Sequence, residues 1–251
     1  MNIPQITLEQ YEQLQPHAVV DGIMFMTPNT HCAWRVDTLY TKEPCTIAWI
    51  NKMAPGETLF DVGACMGGYT CYAASKGIKV HAFEPEAQNF ALLCRNIALN
   101  KFTDVTAWPI AISNRPSTDV LHLSSILAGG SCHSFSESKD YKGNDRVFPF
   151  KQGSISSTID LFAAKYGYPD HIKIDVDGFE HLVLEGAAMT LRKAKSVLVE
   201  TNTNYDIHHD YIMRIMSING FTFDETQAES SRRKDGPFVG VGNIIFYKGQ
   251  S

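Results

Sequence analysis

What this chain lacks narrows its class before any motif is read. Its six cysteines, Cys32, Cys45, Cys65, Cys71, Cys94 and Cys132, are scattered with no Cys-x-x-Cys pair. Neither a zinc knuckle nor a redox dithiol is therefore indicated, and reduced thiols of a cytoplasmic protein are expected. No apolar run approaches the ~20 residues of a membrane span. Met1-Asn2-Ile3-Pro4-Gln5 carries no basic segment ahead of an apolar one, so no signal peptide is expected. Strong charge of one sign is missing too: 22 basic and 27 acidic residues leave a net charge of -5. The one short basic run, Ser231-Arg232-Arg233-Lys234, reads as a solvated loop, and nucleic acid is not an expected partner. Internal repeats are absent, and so is Gly-x-Gly-x-x-Gly, which argues against a dinucleotide fold and hydride transfer.

What is present suits a packed α/β chain: 251 residues, 44% hydrophobic and 20% charged. From residue 58 to about 200, apolar runs that read as strands alternate with helical patterns. Strands are expected at 58–62, 79–84, 105–112, 171–178 and 196–200, with a short edge strand at 119–123. Helices are expected at 68–76, 87–100, 158–166, 180–188 and 211–218, and 221–223 with 243–247 reads as a closing antiparallel pair. Residues 124–153 read as a long loop, a feature usually tied to function. Residues 1–55 read as an N-terminal extension on the acceptor side, with a helix at 7–15, a strand at 22–26 and a helix at 45–50; residues 56–251 read as the catalytic domain. Strand–helix alternation implies a mostly parallel sheet covered on both faces, with ligands beyond the carboxyl ends of its strands.

Asp61, Glu84, Ile112, Asp175 and Glu200 fall near such ends. The segment Asp61-Val62-Gly63-Ala64-Cys65-Met66-Gly67-Gly68 runs from a buried strand through a Gly-rich turn into a helix. Glycines there let backbone N–H groups approach a bound nucleotide. Its Asp-x-Gly-x-x-x-Gly spacing resembles the first motif of S-adenosylmethionine-dependent methyltransferases. Glu84 closes the next strand, where an acid can accept hydrogen bonds from a ribose diol.

Further segments extend the likeness. Ala82-Phe83-Glu84-Pro85 with Asn89, Asn96-Ile97-Ala98-Leu99-Asn100, and above all Ile172-Lys173-Ile174-Asp175-Val176-Asp177-Gly178 resemble the FkbM family of methyltransferases over residues 22–247. Trp34-Arg35 and Lys42-Glu43-Pro44 also look familial. The resemblance implies a Rossmann-like class I methyltransferase fold, with a mostly parallel seven-stranded sheet and helices on both faces. It implies methyl transfer to a hydroxyl of a sugar, glycan or small natural product. Donor-binding residues would be Asp61, Gly63, Ala64, Gly67, Glu84, Pro85, Asn89, Ala111, Ile112 and Asp175, with Asp61 and Gly63 on the methionine part, Glu84 on the ribose, and Ala111 and Ile112 beside the adenine. Cys65-Met66 departs from the family, whose members more usually carry Asn and then an aliphatic residue.

A sugar hydroxyl needs a base or a metal to become a nucleophile. Lys173, Asp175 and Asp177 alternate along the expected fourth strand and so share one face. Lys173 is expected to neutralise a carboxylate, Asp175 to orient the acceptor or take its proton, and Asp177 either to assist or only to cap the next helix. His208, with His209 in an expected acceptor loop, is a further candidate base, as are His31 and His133. No metal is assigned, although Asp175, Glu200 and Asn202 offer hard oxygens that would suit Mg²⁺. Trp34, Arg35, Tyr40, Tyr141 and Tyr205 are candidate acceptor contacts. The Asn/Asp-Pro-Pro-aromatic signature of many N-methyltransferases is missing after the fourth strand, which makes N-methylation the lesser alternative. A non-catalytic donor-binding module is another, and oligomeric state is left open.

Overall fold

Near-continuous apolar runs form the middle of the molecule, as strands buried on both faces require. The computed structural model describes residues 7, 10 and 17–249. In chain order its elements are β1 (His17–Val20), β2 (Ile23–Met26), α1 (Thr30–Asp37), α2 (Pro44–Ile50), β3 (Thr58–Val62), α3 (Gly68–Ser75), β4 (Lys79–Phe83), α4 (Ala87–Leu99) and β5 (Val105–Trp108). There follow β6 (Ala111–Ile112), β7 (Ser117–Leu123), β8 (Ser134–Phe135), β9 (Phe150–Ser157), α5 (Ile159–Tyr166), β10 (His171–Ile174) and α6 (Glu180–Glu185). The chain closes with β11 (Ser196–Asn202), α7 (Asp206–Ile218), β12 (Phe221–Phe223), α8 (Glu225–Ser231) and β13 (Val241–Lys248).

Seven strands form the central sheet in the order β12-β13-β11-β10-β3-β4-β5. β3, β4, β5, β10 and β11 are parallel, while β13 runs antiparallel to both β11 and β12. Alternation along each strand sorts side chains to two cores. Leu59, Val80, Ala82 and Leu198 pack under α2, α3 and α4. Phe60, Val62, Ile172 and Ile174 pack under α5, α6 and α7 on the other face. Among the described residues, no helix is long and apolar enough to cross a membrane.

The familial Asn96 and Asn100 find their reason here. Asn96 is fully buried in α4; its Oδ1 accepts from Met26 N–H at 2.7 Å and its Nδ2 donates to the Met66 carbonyl at 2.7 Å. One amide thus ties the β2 edge to the Gly-rich turn. Asn100 repeats the arrangement one helical turn on, with Met24 N–H and C=O at 2.8 and 2.7 Å. β2 itself is set by a two-residue hairpin in which Asp21 and Gly22 both take positive φ (49° and 79°), the geometry that matches strand twist.

Several expectations need correcting. The third strand is not continuous over 105–112: Pro109 has no N–H for the ladder, and β6 leaves to pair with β9. The loop expected at 124–153 contains β8 and the start of β9, which join β6 and β7 in a second, four-stranded sheet. The fourth strand ends at Ile174, so Asp175 and Asp177 lie in a turn and not on a strand face with Lys173. His208 and His209 belong to α7, not to a loop. The sequence pattern did not reveal β1, α1 or α8. The helix expected at 7–15 lies, except for Thr7 and Gln10, outside the described residues.

Removing the Asn96 amide strands two buried backbone groups. Asn96→Ala is expected to lower the unfolding free energy by about 2–4 kcal/mol, measured by urea denaturation.

Candidate active site

Four of the parallel strands, β3, β4, β10 and β11, bring a functional group to the same rim from their ends or the turns that follow. Beyond this rim lies a cavity of ≈ 550 Å³. Gly63 follows β3, Glu84 follows β4, Asp175 and Asp177 follow β10, and Glu200 comes from β11; all line it. Pro85, Ala111 and Ile112 line the same space. A smaller chamber of ≈ 70 Å³ is lined by Ala64, Gly68, Tyr69 and Lys173, and shares Arg35, Lys42, Gly63, Cys65 and Asp175 with the large cavity.

The Gly-rich turn is shaped by close approach. Gly63 has φ 82°, and a Cβ there would run into the Asp175 carbonyl oxygen. Cys65 is also left-handed, at φ 50°, a conformation that Asn tolerates better than Cys. Gly67 precedes α3 at φ 85° with Leu93 packed behind it; it shapes the turn and does not line either space.

Glu84 is almost fully buried, with Oε2 accepting from Cys65 N–H and Oε1 from Glu86 N–H, both at 2.8 Å. Burial nevertheless pushes its carboxyl up to about 7. Asn89, expected on the donor, lines the cavity with its amide already paired: its Oδ1 accepts from Gly129 N–H and its Nδ2 donates to the Gly130 carbonyl. It fastens the 124–133 segment across the cavity.

Asp61 does not reach the cavity. It is fully enclosed, accepts the Thr70 hydroxyl at 2.6 Å, and lies 3.6 Å from Lys173 Nζ, its register partner across β3 and β10. Lys173 also reaches Asp175 Oδ2 at 3.1 Å and lies over the Tyr69 ring. Burial opposes its charge, but Asp175, Asp61 and Glu43 overcome that and raise its pKa. Burial likewise works against the Asp175 anion, yet the Lys173 ammonium, with Lys42 and Arg35, holds its pKa below the usual value.

Two residues further on the balance reverses. Burial, reinforced by Asp175, pushes the Asp177 carboxyl up to about 6, although Cys132 N–H donates to its Oδ2 at 2.6 Å. Asp177 sits at φ 56° and does not cap α6. Instead Glu180 Oε1 accepts from Val176 and Gly178 N–H and so holds the turn itself. Glu200 is raised well above its ordinary value, first by burial and then by Asp175 and Asp177.

His208 does not line the cavity. Its Nε2 accepts from His181 N–H, its ring stacks on Tyr205, and burial lowers its pKa to about 3. His133 does line the cavity, but burial, with Arg35 and Arg146, lowers it to about 4. Asn202 turns away toward Asn204 and Tyr141, so the carboxylates that converge within 4.8 Å are those of Glu43, Asp175 and Glu200. These oxygens suit a hard cation, but the chain supplies its own positive charge. Lys42 lies 2.7 Å from Glu43, and Arg233 lies 3.7 and 3.9 Å from Glu43 and Glu200. Arg233, read as part of a solvated loop, is thus a cavity residue. Glu43 was visible only as a familial residue; it also accepts the Tyr69 hydroxyl and the Asn243 amide.

A sheet of this order, with one reversed strand and a Gly turn facing a strand-end acid, defines the class I S-adenosylmethionine-dependent methyltransferases. Solved structures share the fold. Magnesium protoporphyrin IX methyltransferase of Synechocystis PCC 6803 is similar at a TM-score of 0.51 and 13% identity, covering 88% of this chain and 85% of that one. TYW2 of M. jannaschii is similar at 0.50 and 14%, covering 94% and 87%. The family profile described as the methyltransferase FkbM domain matches residues 61–223, and the chain belongs to that family. Its methyl donor is S-adenosylmethionine. A curated relative, the hexuronic acid methyltransferase AglP of Haloferax volcanii, is 25% identical over 179 residues, which cover 69% of this chain and 67% of the relative.

Lys173→Met would leave the buried Asp61 and the partly buried Asp175 without their shared cation. A loss of about 3–5 kcal/mol of unfolding free energy is expected in denaturant titrations.

Proposed function

We propose that this methyltransferase moves the methyl group of S-adenosylmethionine to a hydroxyl of a sugar or glycan, with Asp177 as general base. The observation that carries the reading is the Asp177 carboxyl itself. It lines the cavity and titrates at about 6, so it is ionised at neutral pH yet basic enough to take a proton. Asp175, the first choice from sequence, is the weaker base because Lys173 stabilises its anion. It is assigned here to orientation. Glu200, whose pKa burial raises, lines the same cavity and is assigned to contact an acceptor oxygen.

The donor is assigned with its ribose hydroxyls on Glu84, its adenine beside Ala111 and Ile112, and its sulfonium near Gly63. Methyl transfer is an in-line displacement, so the protein's task is to hold the two reactants together and exclude water. The described part of the N-terminal extension, residues 17–55, is assigned as a cap on the acceptor side: α1 sets Trp34, half-exposed, at the cavity wall, where an indole face suits a sugar ring. The sugar acceptor is further supported by the relative named for a hexuronic acid. Because Lys42, Lys173 and Arg233 already meet the charge of Glu43, Asp175 and Glu200, transfer without a metal is proposed. The six free cysteines fit a reducing compartment such as the cytoplasm.

The test is methyl transfer to a panel of neutral and uronic sugars, followed by mass spectrometry. In the wild type, kcat is expected to rise with pH and to level off above about 6, as Asp177 loses its proton. Asp177→Asn is expected to lower kcat by about 10²–10⁴-fold and remove that pH step while S-adenosylhomocysteine still binds. An Asp177→Asn enzyme with unchanged turnover would point to an acceptor needing no base, such as a sugar carboxylate.

A further inference from the structure

A donor with an α-amino-acid end brings a carboxylate and an ammonium into a site that excludes water, and both need partners there. We infer that Arg35, on α1 and outside the family-matched segment, clamps the carboxylate of the donor's methionine end. The inference rests on S-adenosylmethionine occupying the cavity.

The argument begins with pairing. Four cationic side chains line the two spaces: Arg35, Lys42, Lys173 and Arg233. Three of them have carboxylates. Lys42 lies 2.7 Å from Glu43, Lys173 lies 3.1 Å from Asp175, and Arg233 lies within 3.9 Å of both Glu43 and Glu200. Arg35 has no carboxylate within 4.0 Å among the described residues. Its Nε donates to the Gly129 carbonyl at 2.6 Å, which fixes the guanidinium and leaves the two terminal nitrogens for another partner. A guanidinium held by one edge presents the other as a fork, the geometry that grips a carboxylate through two parallel hydrogen bonds.

Position then selects the ligand. Arg35 lines both the large cavity and the small chamber, next to Gly63 and Cys65 of the Gly-rich turn. With adenosine on Glu84, the methionine end is the part of the donor that reaches this chamber, and ≈ 70 Å³ suits a head group of a few heavy atoms. Gly68 and Tyr69 bring the start of α3 to its wall, and no side chain caps that helix. Its first N–H groups add to the attraction for an anion. The complementary charge is on hand as well: Asp175 lines the chamber and is kept ionised by Lys173, so it meets the α-ammonium. A zwitterion thus finds a cation and an anion at the two sides of one small space. The N-terminal segment completes the donor site as well as covering the acceptor.

Calorimetric titration of the full chain with S-adenosylhomocysteine and with 5′-methylthioadenosine tests this. The second ligand keeps the adenosine and the thioether but lacks the amino-acid end. Arg35→Gln is expected to weaken S-adenosylhomocysteine by about tenfold or more and 5′-methylthioadenosine by less than about twofold. Arg35→Lys keeps the charge but not the fork, and is expected to lose an intermediate amount for S-adenosylhomocysteine alone; it carries the test if the Gln variant does not fold. Equal weakening of both ligands would overturn the inference and leave Arg35 as a support for the 129–130 segment. Unchanged binding of both, with a raised KM for the acceptor, would overturn it in favour of an acceptor contact. A wild type that binds neither ligand would overturn the donor assignment itself.

Discussion

The buried Lys173 ammonium is the charge around which the rest of the site is arranged. Taking a cation out of water costs several kcal/mol, and only close, well-placed anions offset it. Lys173 is 2% exposed and has two such anions, one from each neighbouring segment: Asp61 on β3 and Asp175 after β10. Asp61 in turn takes the Thr70 hydroxyl from the first turn of α3, and the Tyr69 ring lies against the ammonium. Through one charge, the ends of two strands and the start of the helix behind the Gly-rich turn are held in fixed relation. Lys173 therefore organises the site from beneath it.

That same charge divides the work between two aspartates in one turn. Asp175 faces the ammonium and stays anionic; Asp177, turned by a left-handed backbone toward Cys132, lacks such a partner and feels the charge of Asp175. Neighbouring carboxyls with opposite shifts are how a single site obtains both a fixed anion and a working base near neutral pH. Glu84 and Glu200 extend the pattern, because burial raises both while the Glu86 and Cys65 N–H donors limit the rise at Glu84.

Much of this was legible in the sequence, for a physical reason. Central parallel strands are apolar on both faces, so β3, β4, β10 and β11 stand out as runs, and an acid or glycine at the end of such a run is conspicuous. Glu84, Asp175 and Glu200 were read near strand ends this way, with Gly63 in the turn after β3, and all four line the cavity. What escaped depends on contacts distant in sequence. An exception is the stop of His171–Ile174 before Asp175, which is local: Glu180, four and two residues beyond Val176 and Gly178, holds the turn, and the strand pattern did not show it. The second sheet forms because Pro109 breaks β5 and frees Ala111–Ile112 for β9. Arg233 enters the cavity only because its backbone pairs with Val241, and His208 leaves it because α7 begins at Asp206 and turns that imidazole toward α6. Asn89 lines the cavity, but its amide partners at 129 and 130 could not be read from its own neighbourhood.

The central claim is that the rim of the sheet is the donor site, with Glu84 accepting the ribose hydroxyls. Its most direct test is the affinity for S-adenosylhomocysteine from about pH 5.5 to pH 8 in the wild type and in Glu84→Gln. Glu84 holds its proton below about 7 in the free protein, and only the carboxylate accepts from both hydroxyls. Wild-type affinity should therefore rise by up to about tenfold per pH unit below that value and level off above it. The Gln variant should bind more weakly and show no such step. A wild type with flat affinity, matched by the variant, would contradict the account.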